Sequence, residues 1–209
     1  MNRKSLAWLL PLFILATGVA RAEATAPEAL VKNVTEEVLS ILREDKSIQS
    51  GNRQRAIALI ENKVAPHFDF TRMTSLAVGR AWRQADAGQR KALTGEFHIL
   101  LVRTYANSLT AYRDQTVTFK PAAKPGEDGD VTVHSQINKP GNQPIPLDYS
   151  LSKNEDGWKV FDVSVANVSL VTNYRGTFAS EVNKGGLDGL LKALQEKNRR
   201  LEATVPPAA

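Results

Sequence analysis

Apolar side chains recur every three or four positions over residues 25–113 and then alternate with polar ones over residues 116–165. The first period gathers apolar groups along one side of a helix; the second gathers them on one face of a strand. Thr25 with Pro27 marks a helix start, and Leu30, Val31, Val34, Val38 and Leu42 follow at helical spacing. Past Gly51, the positions of Ile57, Ile60 and Val64 predict a second helix that stops at Pro66. Asp69 stands where it can cap a short third helix carrying Met73, Leu76 and Ala77 and ending near Gly79. The longest helix starts at Asp86, where Gln89 completes a capping-box pattern, and meets no proline before Arg113. Its Leu93, Phe97, Leu100, Leu101, Tyr105, Leu109 and Tyr112 form a wide apolar band. At about 1.5 Å per residue it is roughly 40 Å long. A band of that length must lie across something broad.

The alternating region supplies it. Residues 116–120, 130–138, 145–153 and 158–165 read as half-buried strands, separated by the turn-rich stretches PAAKPGEDG, KPGNQP and NEDG. Short connections of this kind predict an antiparallel meander with one covered face. Two further helices, 168–183 and 187–200, close the chain around Gly185-Gly186. The expected fold is therefore α+β, helices wrapped around one four-stranded antiparallel sheet, with residues 203–209 as a patternless, disordered tail. Such walls either collapse together or enclose a deep apolar pocket.

Composition narrows the setting. Arg3 and Lys4 precede an apolar run, and Ala20-Arg21-Ala22 follows as a small-x-small cleavage site, so residues 1–22 read as an export signal. Residues 23–202 then form a single domain. Loss of Arg3, Lys4 and Arg21 lowers the net charge of +5 by three. That weak balance argues against a nucleic-acid partner, which would call for a concentrated basic face. The chain has no cysteine, so neither disulfides nor an acylated cysteine contribute, and the core must suffice.

Candidate chemistry is sparse. His67, His98 and His134 fall in three separate elements without ligand spacing, so no metal site is expected; His67 reads as a helix-boundary residue and the other two as solvent-facing. No nucleophile elbow, phosphate-binding loop or dinucleotide fingerprint occurs. Asp162 is the best acid or base candidate, since a carboxylate in an apolar pocket has its pKa raised. Strand alternation instead turns it away from Phe161 and Val163, toward a lysine or a backbone donor. In the last long segment Val168, Val171, Phe178 and Val182 share a helical stripe widened by Leu170 and Tyr174, and Arg175 falls inside it. Its guanidinium needs a carboxylate, a ligand phosphate or a route to solvent.

The runs FDFTRMTSLAVGRAW (68–82), QRKALTGEFHILLVRTYANSL (89–109), WKVFDVSVANVSLVTNYRGTF (158–178) and GGLDGLLKAL (185–194) resemble, in that order, the MlaC family of periplasmic toluene-tolerance proteins. The resemblance implies a periplasmic carrier that shuttles phospholipid between outer and inner membranes, maintaining outer-membrane lipid asymmetry, with no catalytic role and no cofactor beyond its lipid cargo. It implies docking on an inner-membrane ABC transporter bearing an MCE-domain protein and on an outer-membrane lipoprotein–porin complex. Acyl-chain contacts are expected from Met73 and Leu76 on the third helix and from Phe97, Leu101, Tyr105 and Leu109 on the long one. The sheet would add Val133, Leu147, Tyr149, Leu151, Phe161 and Val163, and the last long segment Val168, Val171, Tyr174 and Phe178, with Arg175 as a rim or head-group contact. A carrier of two acyl chains needs a pocket of about 1,000 Å³ or more. Two rivals stay open: a cone-fold enzyme pairing Asp162 with Tyr149 or Tyr174, and a binder of another apolar ligand such as a quinone or sterol.

Overall fold

The computed structural model describes residues 26–120, 126 and 128–203. The expected leader, the Thr25 cap, most of PAAKPGEDG and the tail beyond Ala203 lie outside these residues. Side-chain caps set the helix boundaries. α1 (Pro27–Glu44) has proline in its first turn, where the missing N–H is harmless. Asp45 then accepts from the Ser47 and Ile48 N–H groups and starts a four-residue helix, α2 (Lys46–Gln49), which the sequence pattern did not announce. Asn52 caps α3 (Arg53–Leu59). α3 continues as a π turn, Ile60–Val64, and a 3₁₀ turn, Ala65–His67, rather than as the regular helix expected up to Pro66. Asp69 caps α4 (Phe70–Val78) through the Arg72 N–H at 2.8 Å, and Gly79 ends it at φ +67°, a backbone region that favours glycine. Asp86 and Gln89 form the reciprocal capping box of α5 (Ala87–Thr110), which stops a turn short of Arg113.

Among the described residues the sheet has five strands, one more than expected: β1 (Thr116–Phe119), β2 (Val131–Asn138), β3 (Ile145–Asn154), β4 (Gly157–Val165) and β5 (Val168–Ser169). They lie in chain order and each pair is antiparallel. The fifth strand exists because β4 does not run straight into a helix. Ala166 and Asn167 both take positive φ, 51° and 65°, closing a two-residue hairpin. α6 (Leu170–Ala203) follows, broken where Gly185 and Gly186 leave helical geometry, so that its second arm folds back. Ala203, expected in the tail, belongs to this helix.

Three apolar clusters result. α4, the first half of α5 and both arms of α6 enclose Met73, Leu93, Phe97, Val171, Phe178 and Leu190. The end of α5 meets α1 and α3 around Leu42, Ile48, Ala56 and Tyr112. The inner sheet face packs Val131, Val133 and Leu151 against Val31 of α1. The breadth that α5 spans is thus two helical cores. Polar ties hold this frame. Arg53 donates to the Arg103 and Leu201 carbonyls, and Asn198 to the Glu96 carbonyl and carboxylate. Arg72 grips Asp130 through two N–H groups, at 2.6 and 3.1 Å, with its guanidinium 3.6 Å over the Phe161 ring.

Candidate functional site

The three cores do not close on one another completely. Between α1, the π turn, the second half of α5 and the inner sheet face lie two adjoining cavities of about 330 and 280 Å³. Val64, Phe68, Ser108, Leu109, Leu147 and Tyr149 line both, so they are neighbouring chambers with a common wall. α1 walls the larger with Leu30, Val31, Val34, Val38, Leu39 and Leu42. α4 and α5 wall the smaller with Phe70, Met73, Leu101 and Tyr105. Among the described residues no Asp, Glu, Lys or Arg lines either chamber. Each falls well below the 1,000 Å³ expected for two acyl chains.

Strand chemistry explains the sheet's share of the wall. Cross-strand partners face the same way, and the register pairs Val133 with Tyr149, Tyr149 with Val163, and Leu147 with Val165. One face of β3 therefore carries Leu147 and Tyr149 toward the void. The Tyr149 hydroxyl bonds with Thr35 of α1, and burial pushes its phenol up to about 12. At neutral pH it is an uncharged hydrogen-bonding group, not a base. His67 lines the larger chamber; burial foremost, then the nearby Lys159 charge, holds its pKa below the ordinary 6.5. An apolar chamber lined this way can hold hydrocarbon and offers no obvious general acid–base pair.

Of the residues expected at a site, Met73, Leu101, Tyr105, Leu109, Leu147, Tyr149 and Val163 meet in these chambers. The rest are placed elsewhere. Phe97, Val171 and Phe178 are sealed in the helical core, with Leu76, Phe161 and Tyr174 packed against it. The Phe97 and Phe178 rings meet edge to face at 5.0 Å, which leaves no room between them. Val133 and Leu151 are fully buried in the sheet core. Val168 is in β5, not a helix, and is 55 % exposed. Tyr174 and Phe178 do border a separate surface groove between the two arms of α6. Phe161 sits in a bulge without a cross-strand partner, since Asp162 pairs with Ser150 and Val160 with Leu151, and it packs against the helical core.

Arg175 meets neither a carboxylate nor the chambers among the described residues. Its Nε donates to the Leu76 carbonyl at 3.2 Å, satisfying an orphan acceptor in the last turn of α4. Asp162 accepts from the Val163 and Val171 N–H groups at 2.9 and 3.1 Å and from the Ser169 hydroxyl, whose oxygen accepts from Thr172 N–H. It anchors the start of α6 with backbone donors. His98 is not solvent-facing: it stacks on Phe70, with Nε2 3.0 Å from Glu61. His134 sits beside Asp148. No set of three His, Cys, Asp or Glu among the described residues could hold a metal, and no helix there is long and apolar enough to cross a membrane.

Sequence reasoning missed the largest contribution, the α1 stripe. Its spacing marks a buried face, but nothing local says that the face borders a void. Val64, Phe68, Val117, Ile137 and Leu170 were missed for the same reason.

Residues 32–196 match the family described as MlaC protein. The chain is 26% identical over 185 residues to the intermembrane phospholipid transport system binding protein MlaC of Haemophilus influenzae, covering 87% of this chain and 86% of that protein. It is 26% identical over 188 residues to a toluene tolerance protein of Pseudomonas putida, covering 89% and 85%. A solved structure, the phospholipid-binding protein of Ralstonia solanacearum in complex with a phospholipid, superposes with a TM-score of 0.77 at 38% identity, covering 84% of this chain and 98% of that one.

Proposed function

The chain belongs to the MlaC family, and from that premise we propose that it is a periplasmic phospholipid carrier that holds acyl chains in the paired chambers. The observation that carries this reading is a continuous apolar wall without a permanently charged side chain. A diacyl phospholipid exposes about 30 methylenes, each costing roughly 0.8 kcal/mol in water, so free diffusion of the monomer across an aqueous gap is negligible. The name of the Haemophilus relative and the lipid in the Ralstonia complex support the choice of cargo. Leu109, Leu147 and Tyr149 contact the chains from the shared wall, Met73, Leu101, Tyr105 and Val163 from the smaller chamber, and the α1 stripe from the larger. Because the chambers are smaller than two chains require, loading moves their walls apart.

In this reading residues 1–22 direct export and residues 23–202 act as one lipid-binding unit. The carrier takes its cargo between an outer-membrane lipoprotein–porin complex and an inner-membrane ABC transporter with an MCE-domain protein, and so maintains outer-membrane asymmetry. It performs no covalent chemistry. Asp162 is engaged by the start of α6, which argues against the enzyme reading. The test is mass spectrometry of a solvent extract from protein purified without detergent, where near-stoichiometric phospholipid is expected. Protein that is repeatedly lipid-free and refuses labelled phospholipid sinks the reading. A quinone or sterol in its place assigns a different apolar ligand.

A further inference from the structure

Among the described residues two large apolar side chains stand exposed, Ile145 at 43 % and Val168 at 55 %. Isolated exposed apolar groups are ordinary on protein surfaces, but these two are placed by the sheet register. Side chains two apart on a strand share a face, so Leu151, Tyr149, Leu147 and Ile145 follow one another along one side of β3. Leu151 is fully buried, Tyr149 and Leu147 line the chambers, and Ile145 is in solvent. This face passes from floor to wall to open surface within seven residues of chain. Ile145 pairs with Ile137, which lines the larger chamber. Leu147 pairs with Val165, and Val165 with Val168. The apolar lining thus continues outward onto Ile145 and Val168. The Ala166-Asn167 hairpin, with its two left-handed residues and an Ala166 N–H to Pro146 carbonyl bond of 2.9 Å, ties the two strand ends together.

We propose that Ile145 and Val168 form the lip of the chambers, a binding step on which the cargo's acyl chains lie as they enter and leave. This rests on the carrier reading and adds the place of exchange. The occupant is hydrocarbon because the lip prolongs a wall that the reading assigns to hydrocarbon, on the same sheet face and in the same register. A chain sliding from Leu147 outward meets Ile145 next, and its methylenes stay covered for one more strand pair.

Because both positions are exposed, Ile145→Ser and Val168→Ser leave the fold intact, and circular dichroism checks this. Transfer of a fluorescent diacyl phospholipid is measured between phosphatidylethanolamine–phosphatidylglycerol vesicles, with no other protein present. The double variant is expected to transfer about tenfold more slowly than the wild type, a factor equivalent to ~1.4 kcal/mol. The chain lacks cysteine, so Ile145→Cys and Val168→Cys each take a single fluorophore, with Thr118→Cys as an exposed control on the other sheet face. Loading with a spin-labelled acyl chain, without vesicles, is expected to quench the labels at 145 and 168 and spare 118. Wild-type transfer rates in the double variant, or labels quenched only when vesicles are added, overturn the lip while leaving the carrier intact. A wild-type protein that takes up no phospholipid overturns both.

Discussion

Asp162 illustrates how a single side chain changes meaning when its neighbours are known. Its carboxylate gathers two N–H groups and one hydroxyl at the junction of β4, β5 and α6. Hydrogen bonds to a charged acceptor are worth more than neutral ones, so Asp162→Ala is expected to lower stability by about 1–3 kcal/mol, and Asp162→Asn by less. Phospholipid uptake should survive in both. Urea melts alongside uptake of a labelled lipid check this pair of outcomes. His67 gives a pH signature. Its folded pKa lies below 6.5, so below that pH the unfolded chain binds the proton more readily, and stability falls as pH drops through the window beneath 6.5. His67→Gln is expected to flatten the stability–pH curve there, measured by denaturant titration at about pH 7.5 and about pH 5.5. A wild-type slope in the variant would remove His67 from the account. That Asp162 turns from the Val163 face was legible from strand alternation. That a backbone donor would meet it was legible too, but not which ones, because Ser169 and Val171 reach it only through the Ala166-Asn167 hairpin.

Elements decide which apolar stripe meets packing and which meets space. Val171 and Leu147 look alike in sequence, each an aliphatic position in a regular pattern. Val171 is 3 % exposed inside the α4–α5–α6 core, whereas Leu147 borders both chambers. Val171→Glu should therefore unfold or severely destabilise the protein, since a buried unpaired carboxylate costs several kcal/mol. Leu147→Glu should fold, because its carboxylate can be hydrated in the empty chamber, yet hold little phospholipid. Thermal melting and lipid occupancy on the same samples separate the two; equal melting losses would mean that Leu147 is packed core. Caps were easier to read than stripes. Asp69, Asp86 and Gln89 act through bonds within three residues, so their pattern is complete in the local sequence.

At the scale of the whole molecule, loading and stability are linked. A phospholipid that binds only the folded state adds about 2.7 kcal/mol at a free concentration a hundred times its Kd. α1 is the wall best placed to move: it lies over the larger chamber, tied by the Tyr149–Thr35 bond and by the Glu37–Lys63 ion pair at 2.6 Å. Amide exchange in α1 is expected to be fast without lipid and slowed on loading, while the second arm of α6 stays protected throughout. Hydrogen exchange followed by mass spectrometry tests this, and an α1 as protected as α6 before loading would sink it. The sequence alone determined the α+β composition, the order of the long helices and of the first four strands, the Asp69 and Asp86 caps and the glycine break in the last helix. These depend on side chains a few residues apart, where backbone geometry leaves few choices. The tertiary structure alone decided where the chambers lie, that α1 rather than α6 walls the larger one, and which apolar residues are sealed. A cavity is a place where surfaces distant in the chain fail to meet. An aliphatic side chain carries the same local pattern whether it faces a neighbour or a void.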